Sequence, residues 1–293
     1  MKRLIGILVL AAAVETSASG FPSWMMGADA RYAAMGGAGA AWSEDGSAGF
    51  RNPALTAAVD RRSAVFSAHR WMRDVQSGFL GFTAPGGKTG FGGHILVTEI
   101  PDIDYRTGPS ETPLGTFSAS EIIAGFDIGR RLTPAWSIGL GGRVYYQKIF
   151  VDEAFGAGAD LGVCYAFSRV PVRMAAAVQN IGTVSRLASE RIRLPLTFRI
   201  GAAGRLVETA GGNWLILIDA VKERDSDFGV AAGAEYVWRD ILYLRAGYRS
   251  GVSTLGPSCG AGIAAGRLRF DYAFLPVKEG LGDSHRLTVA WSF

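Results

Sequence analysis

The stretch F155-G-A-G-A-D-L-G-V-C-Y-A-F167 decides how the chain is read. Phe155, Ala157, Ala159, Leu161, Val163, Tyr165 and Phe167 occupy every second position, and Gly156, Gly158 and Asp160 fall between them. A side-chain period of two puts the two sets on opposite faces of a strand. One face is apolar and aromatic; the other is small and polar. The same grammar recurs in Phe228–Trp238, with Gly229, Ala231, Gly233 and Glu235 opposite, and in Leu194–Ala202, with Thr197, Arg199 and Gly201 opposite. It recurs again in Leu268–Phe274, with Arg269 and Asp271 opposite, and in Leu287–Phe293, with Thr288 and Ser292 opposite. An apolar outside around a polar, small-residue inside is what a membrane β-barrel requires.

Fourteen such segments are counted between Ala64 and Phe293, an even number as bacterial barrels need. Connections alternate in length. Pro85–Lys88, Thr133-Pro134, Ser168–Pro171, Glu208–Gly212, Arg239-Asp240 and a turn near Gly266 are short. Ile100–Thr116, Gly182–Arg193, Ser250–Pro257 and Leu275–Asp283 are long and take the other parity. Short periplasmic turns and longer external loops follow that rule. Trp71, Trp136, Trp214, Trp238 and Trp291 fall near strand ends, where an interfacial aromatic belt belongs.

The bulk composition agrees. Of 293 residues, 40 are glycine and only 19% are charged, and no apolar run beyond the N-terminus is long enough for a membrane helix. The net charge of +4 comes from scattered Lys and Arg, which gives nucleic-acid binding no support. Cys164 and Cys259 lie far apart without a Cys/His cluster, so neither a metal site nor a cofactor is expected. There is no GxSxG elbow and no P-loop. Asp283-Ser284-His285 reads like a catalytic triad, but neighbours in a strand point to opposite faces. Asp102, Asp104, Glu111, Asp225 and Asp227 are expected in solvated external loops.

Residues 1–20 have a charged start at Lys2 and Arg3, an apolar core at Leu4–Val14 and small residues after it, the layout of a secretory signal. Residues 61–293 form the expected barrel. Between them, residues 21–60 show no alternation and contain GADARYAAMGGAGAAWSEDGSAGFRNPAL at Gly27–Leu55. This segment is expected in the lumen as a plug, with Asn52 capping a short helix that starts at Pro53. The inward set Arg143, Asp160, Arg199, Glu235, Arg269 and Asp271 must be solvated or paired, and Asp29, Arg31, Asp45 and Arg51 are candidate partners.

Two stretches resemble the PorV/PorQ family of outer-membrane proteins, itself similar to the FadL family of fatty-acid transporters. The first is Ala33–Leu55, with Met35-Gly36-Gly37, Asp45 and Asn52-Pro53-Ala54. The second is Asp271–Phe293, with Tyr272–Phe274, Gly280–Gly282, His285-Arg286 and the terminal Phe293. The resemblance implies a fourteen-stranded barrel with an N-terminal hatch in the outer membrane of a Gram-negative-type bacterium. It implies outer-membrane lipid around the barrel and recognition of Phe293 by the barrel insertion machinery. It further implies partnership with a type IX secretion translocon or surface-attachment complex; the FadL side implies passage of hydrophobic solutes. FadL relatives commonly read NPAG where Leu55 follows Ala54 here, which favours the secretion-associated expectation.

Overall fold

The computed structural model describes residues 27–71, 75–106, 111–188, 190–209, 211–252, 254–277 and 282–293. The signal-like residues 1–20, Trp24 and Gly280 lie outside them. Strands run at Ser63–Arg70 (β1), Gln76–Gly86 (β2), Thr89–Tyr105 (β3), Gly115–Arg131 (β4), Trp136–Ile149 (β5), Asp152–Ala166 (β6) and Val172–Val184 (β7). A two-residue pair follows, Arg186–Leu187 (β8) and Glu190–Arg191 (β9). The rest are Thr197–Thr209 (β10), Gly212–Glu223 (β11), Gly229–Trp238 (β12), Leu242–Arg249 (β13), Pro257–Ala265 (β14), Leu268–Pro276 (β15) and Asp283–Ser292 (β16). Apart from the small β8–β9 pair, these close into one antiparallel ring of fourteen strands. The ring is sealed where β1 pairs with β16, from Ser63↔Ser292 to Arg70↔His285. Closure leaves no strand edge unpaired, which a hydrocarbon surrounding demands.

Alternation sets which side chains face out. Phe126, Val144, Phe155, Leu161, Ile200, Ile218 and Leu287 are all exposed on the outside. Asp127, Arg143, Asp160, Asp219, Glu235 and Asp271, on the other parity, are buried inside. Leu194 departs from its expected place. It precedes β10, is buried, and packs in the lumen with Phe50, Ile123 and Tyr145. The external connection between β7 and β10 therefore dips inward, and Asn180 Nδ2 holds it by donating to the Pro195 carbonyl at 2.9 Å. Asn180 sits at φ +63, where the β6–β7 register slips between Ala159 and Leu161.

Asp102 and Asp104 also fall elsewhere than expected. The β3–β4 hairpin extends to Tyr105 and Gly115, and Asp102, at φ +53, lies in a register shift within it. A bulge of this kind lets a strand pair continue past a local mismatch.

Residues 27–60 run inside the ring. A short helix at Ala30–Ala33 (α1) lies against β14–β16, and a second at Ala48–Arg51 (α2) lies against β2–β4. Asn52 Oδ1 accepts from the Ala54 N–H at 3.0 Å and Pro53 takes the first helical position. The turn that follows, Pro53–Ala58, is a 3₁₀ helix, the tighter form suited to a short piece. It lies against β2–β6. Wall glycines make that approach possible: a Cβ at Gly139 would overlap the Pro53–Ala54 backbone.

If the outer face meets lipid, Phe126→Arg destabilises the folded barrel in a bilayer by about 2–4 kcal/mol near the midplane. Reversible denaturation of the variant checks this, and an unchanged stability would contradict the assignment of that face.

Candidate functional site

The lumen is filled by the N-terminal segment, so the candidate site is built by that segment and the wall around it. Asp29 caps α1 by accepting from the Tyr32 N–H at 3.0 Å. This projects Arg31 to the wall, where it meets Glu235 with two bonds, Nε to Oε2 at 2.9 Å and Nη2 to Oε1 at 2.6 Å. Glu235 also accepts from Arg245 at 2.6 Å, Arg245 donates to Asp271 at 2.8 Å, and Asp271 accepts from Arg269 at 2.7 Å. Arg269 returns to the segment at Asp45, 3.1 Å away. Three guanidiniums and three carboxylates thus alternate along one chain that starts and ends on the segment. Forked guanidinium–carboxylate contacts of this kind are the strong, orientation-fixing ones.

A second tie lies on β10 and β11. Asp219 Oδ2 accepts from the backbone of Gly39 at 2.9 Å and Ala40 at 3.0 Å, and from Arg199 at 3.3 Å. Arg199 also donates to the Gly37 carbonyl at 3.3 Å. A third lies under α2, where Arg143 pairs with Asp160 and donates to the Phe50 carbonyl at 3.1 Å. Gln179 reaches the same carbonyl at 3.0 Å. Asp29 and Arg51, both on the segment, pair with each other at 3.0 Å, and Arg51 stacks over Tyr32 at 3.7 Å.

The motif residues have separate places. Met35 is fully buried, and its backbone crowds Gly233 and Gly247 of β12 and β13. Gly36 and Gly37 turn at φ +67 and +82, and a Cβ on Gly36 would come within 2.5 Å of the Tyr248 carbonyl oxygen. Asn52 ties two parts of the segment together by donating to the Ala40 carbonyl at 3.0 Å. Phe293 lies at the outer surface, 4.4 Å from the Trp291 ring, and its N–H bonds to the Arg62 carbonyl. The lumen residues Arg143, Asp160, Arg199, Glu235, Arg269 and Asp271 all face inward, in three distinct groups rather than one.

Asp219 and Arg245 were not singled out by sequence. The strand of Asp219 is apolar on both faces: Leu215 and Leu217 point inward while Trp214, Ile216 and Ile218 point outward. The one available signal was parity, which places Asp219 in line with Leu215 and Leu217.

The loop end of the lumen holds a cavity of about 120 Å³. Its floor is Ala33, Gly36 and Gly37 of the segment, and Trp71, Val252, Leu255 and Leu275 line its sides. Its polar lining is His69, Arg249, Thr254, Ser258, Ser284 and Arg286. Ser284 is buried on the inner face and His285 is exposed on the outer one, as a strand dictates. Ser284 instead meets His69 Nε2 at 2.7 Å, while Arg286 Nη2 lies 3.0 Å from His69 Nδ1. A guanidinium only donates, so Nδ1 accepts and the proton of neutral His69 sits on Nε2. His69 then donates to Ser284 and is not oriented to take its proton, the reverse of a hydrolytic pair. Among the described residues no group of three His, Cys, Asp or Glu side chains gathers as a metal site.

Comparison with known proteins places this architecture. No family model matches the chain, and no curated protein matches its sequence. Solved structures do match in fold. The Pseudomonas putida toluene transporter TodX superposes with a TM-score of 0.64 at 14% identity, over 94% of this chain and 98% of that one. The CymD monoaromatic hydrocarbon channel gives 0.64 at 12%, over 92% and 98%. A Pseudomonas aeruginosa FadL homologue gives 0.63 at 13%, over 91% and 98%. The chain has the FadL-like fold of outer-membrane channels. These matches carry the FadL side of the family resemblance; the PorV/PorQ side gains nothing from them.

Burial opposes the ionisation of Asp45, but Arg269, Arg31 and the Ser47 bonds outweigh it and hold the carboxyl below its ordinary value. A depressed carboxylate stabilises above its unfolded pKa and ceases to do so as pH falls through the folded one. The Asp45–Arg269 tie therefore persists through mildly acidic pH and is lost only below the usual carboxylate range of about 4. Hydrogen exchange of residues 43–48 against pH checks this; loss of protection already at pH 6 would contradict it. In Glu235→Gln, Arg31 and Arg245 lose their shared carboxylate. Breaking a buried pair this way costs about 3–5 kcal/mol. Limited proteolysis should then cut within Ala30–Gly37 while the barrel stays folded.

Proposed function

We propose that the chain is a conduit for small hydrophobic solutes across the outer membrane, with residues 21–60 acting as its plug. The observation that carries this reading is the mostly apolar cavity at the loop end, floored by the plug's own Gly36-Gly37 turn. Its 120 Å³ is of the order of the roughly 150 Å³ apolar cavity that accepts a benzene ring in an engineered protein. A single-ring hydrocarbon suits the apolar side of that space, formed by Trp71, Val252, Leu255 and Leu275. The fold relatives named as toluene and monoaromatic hydrocarbon channels support the same class of cargo.

Passage beyond the cavity requires the plug to yield. The next space inward is only about 40 Å³ and is lined by Arg51, Arg199, Arg249, Arg286 and Glu223. A hydrocarbon gains nothing there. Binding in the upper cavity therefore has to be coupled to displacement of the Ala33–Gly37 turn.

A second reading keeps the barrel as a partner of a secretion translocon or attachment complex, with its lumen permanently shut. The ion pairs that tie Arg31 and Asp45 to opposite ends of one wall network favour it. In that reading the loop rim meets the partner and nothing crosses. In both readings the terminal Phe293, exposed beside Trp291, serves as the signal to the barrel insertion machinery.

Toluene uptake by cells that lack other hydrocarbon channels separates the two. The conduit reading expects uptake to rise with the protein and to fall several-fold in Leu255→Trp, which fills the cavity without touching the ion pairs. Uptake that is the same with and without the protein, together with large crosslinked outer-membrane complexes, would favour the second.

A further inference from the structure

The two rims of the barrel differ in chemistry. At the rim of short turns, exposed basic residues stand at five of the six turns: Lys88, Arg130, Arg169, Arg239 and Arg267. Arg61 and Arg62 add two more where the chain enters β1. Among the described side chains the exposed carboxylates on this rim are Glu44, Asp60 and Asp240, and Glu44 is engaged by Arg205 at 3.3 Å. Lys88, Arg130, Arg169 and Arg267 have no ion-pair partner among the described residues. At the loop rim both signs are present and pair with one another, Arg106 with Asp104 at 2.9 Å and Lys148 with Glu153 at 3.2 Å.

The aromatic belt shows the same bias. Trp136 begins β5, Trp214 lies near the start of β11, Trp238 ends β12 and Trp291 lies near the end of β16. All four are exposed on the outer face, and all four are at the short-turn rim. Arg239 stacks over Trp238 at 5.0 Å, so a guanidinium and an indole share the interfacial layer. Indoles settle at headgroup depth. Unpaired guanidiniums immediately beyond them lie where phosphates are, and a guanidinium binds phosphate through forked, charge-assisted bonds.

We propose that the short-turn rim is a collar that binds the phosphates of anionic glycerophospholipids. Three features point to lipid rather than to an acidic protein. The charges are spread around the ring instead of gathering on one side. They follow the tryptophan belt. They stand on turns too short to form a docking surface of their own. The collar would fix the depth of the barrel in its inner leaflet and oppose tilting when the plug moves. It does not depend on what the lumen carries.

The test uses the full chain, purified and placed in bilayers that mix phosphatidylglycerol with phosphatidylcholine, one of the two brominated on its acyl chain near the headgroup. Quenching of tryptophan then reports which lipid borders the belt. The collar predicts stronger quenching when phosphatidylglycerol carries the bromine. Each charge removed should reduce that preference by up to roughly fivefold, since a basic residue at an anionic surface contributes on that scale. Arg61→Gln, Arg130→Gln, Arg169→Gln and Arg267→Gln together should remove most of it, whereas Arg186→Gln with Lys222→Gln at the loop rim should leave it. Heat-modifiable gel migration confirms that each variant is folded. Equal quenching by both lipids, or equal loss in the loop-rim variant, would overturn the proposal. Because solute uptake is not the readout, failure here is distinguishable from failure of the conduit reading.

Discussion

A strand in hydrocarbon has nowhere to send an unpaired backbone N–H or C=O. That constraint fixes the ring, because only closure, with β1 bonded to β16, removes both edges at once. Closure then forces each strand to have a lipid side and a lumen side, and the lumen side carries the charges. Once those charges are enclosed they need partners, and the N-terminal segment supplies them. Arg31 and Asp45 come from the segment, Glu235, Arg245, Asp271 and Arg269 from the wall, and the chain between them alternates in sign throughout. The small residues of the wall are part of the same solution. Gly139, Gly233 and Gly247 admit segment backbone where any side chain would collide with it.

The same arrangement explains why the interior is shut yet not uniform. Near the loop rim the segment turns at Gly36-Gly37, and the wall opposite it is Val252, Leu255 and Leu275, so an apolar space remains. Deeper, guanidiniums and carboxylates close the way. On the conduit reading proposed above, a solute has to exchange the second environment for something less polar, and the segment is the part that would move. Its ties are hydrogen-bonded ion pairs, which can separate and re-form, together with an apolar contact of Met35, Trp42 and Leu55 against Leu215 and Leu217 of the wall.

Much of this was legible in the sequence because period two leaves a strong mark. The fourteen strands, their parity and the outward aromatics follow from which side chains alternate. The failures have identifiable physical causes. Leu194 continues the apolar alternation of β10, but it precedes the ladder and is turned inward by the bond from Asn180 to Pro195. In β3 the pattern breaks at Pro101-Asp102, yet a bulge carries the pairing on to Tyr105. Asp219 was hidden because β11 is apolar on both faces, the inner face packing on the segment instead of facing water. Charge identity on the lumen face was readable; which carboxylate meets which guanidinium depended on the path of Gly27–Asp60, and that path has no period to read.

The most direct measurement is a disulfide across the boundary between segment and wall. Ala40 lies on the segment and Gly201 on β10, and a Cβ on Gly201 would sit 3.0 Å from that of Ala40. Disulfides span Cβ atoms about 3.5–4.5 Å apart, so the bond needs a shift of about half an ångström and the Asp219 carboxylate, which that Cβ would overlap, to swing aside. With Cys164 and Cys259 replaced by alanine, Ala40→Cys and Gly201→Cys should crosslink in the membrane-embedded protein under mild oxidation. A folded barrel in which these two cysteines remain reduced and separately labelled would show that the segment does not lie inside the ring.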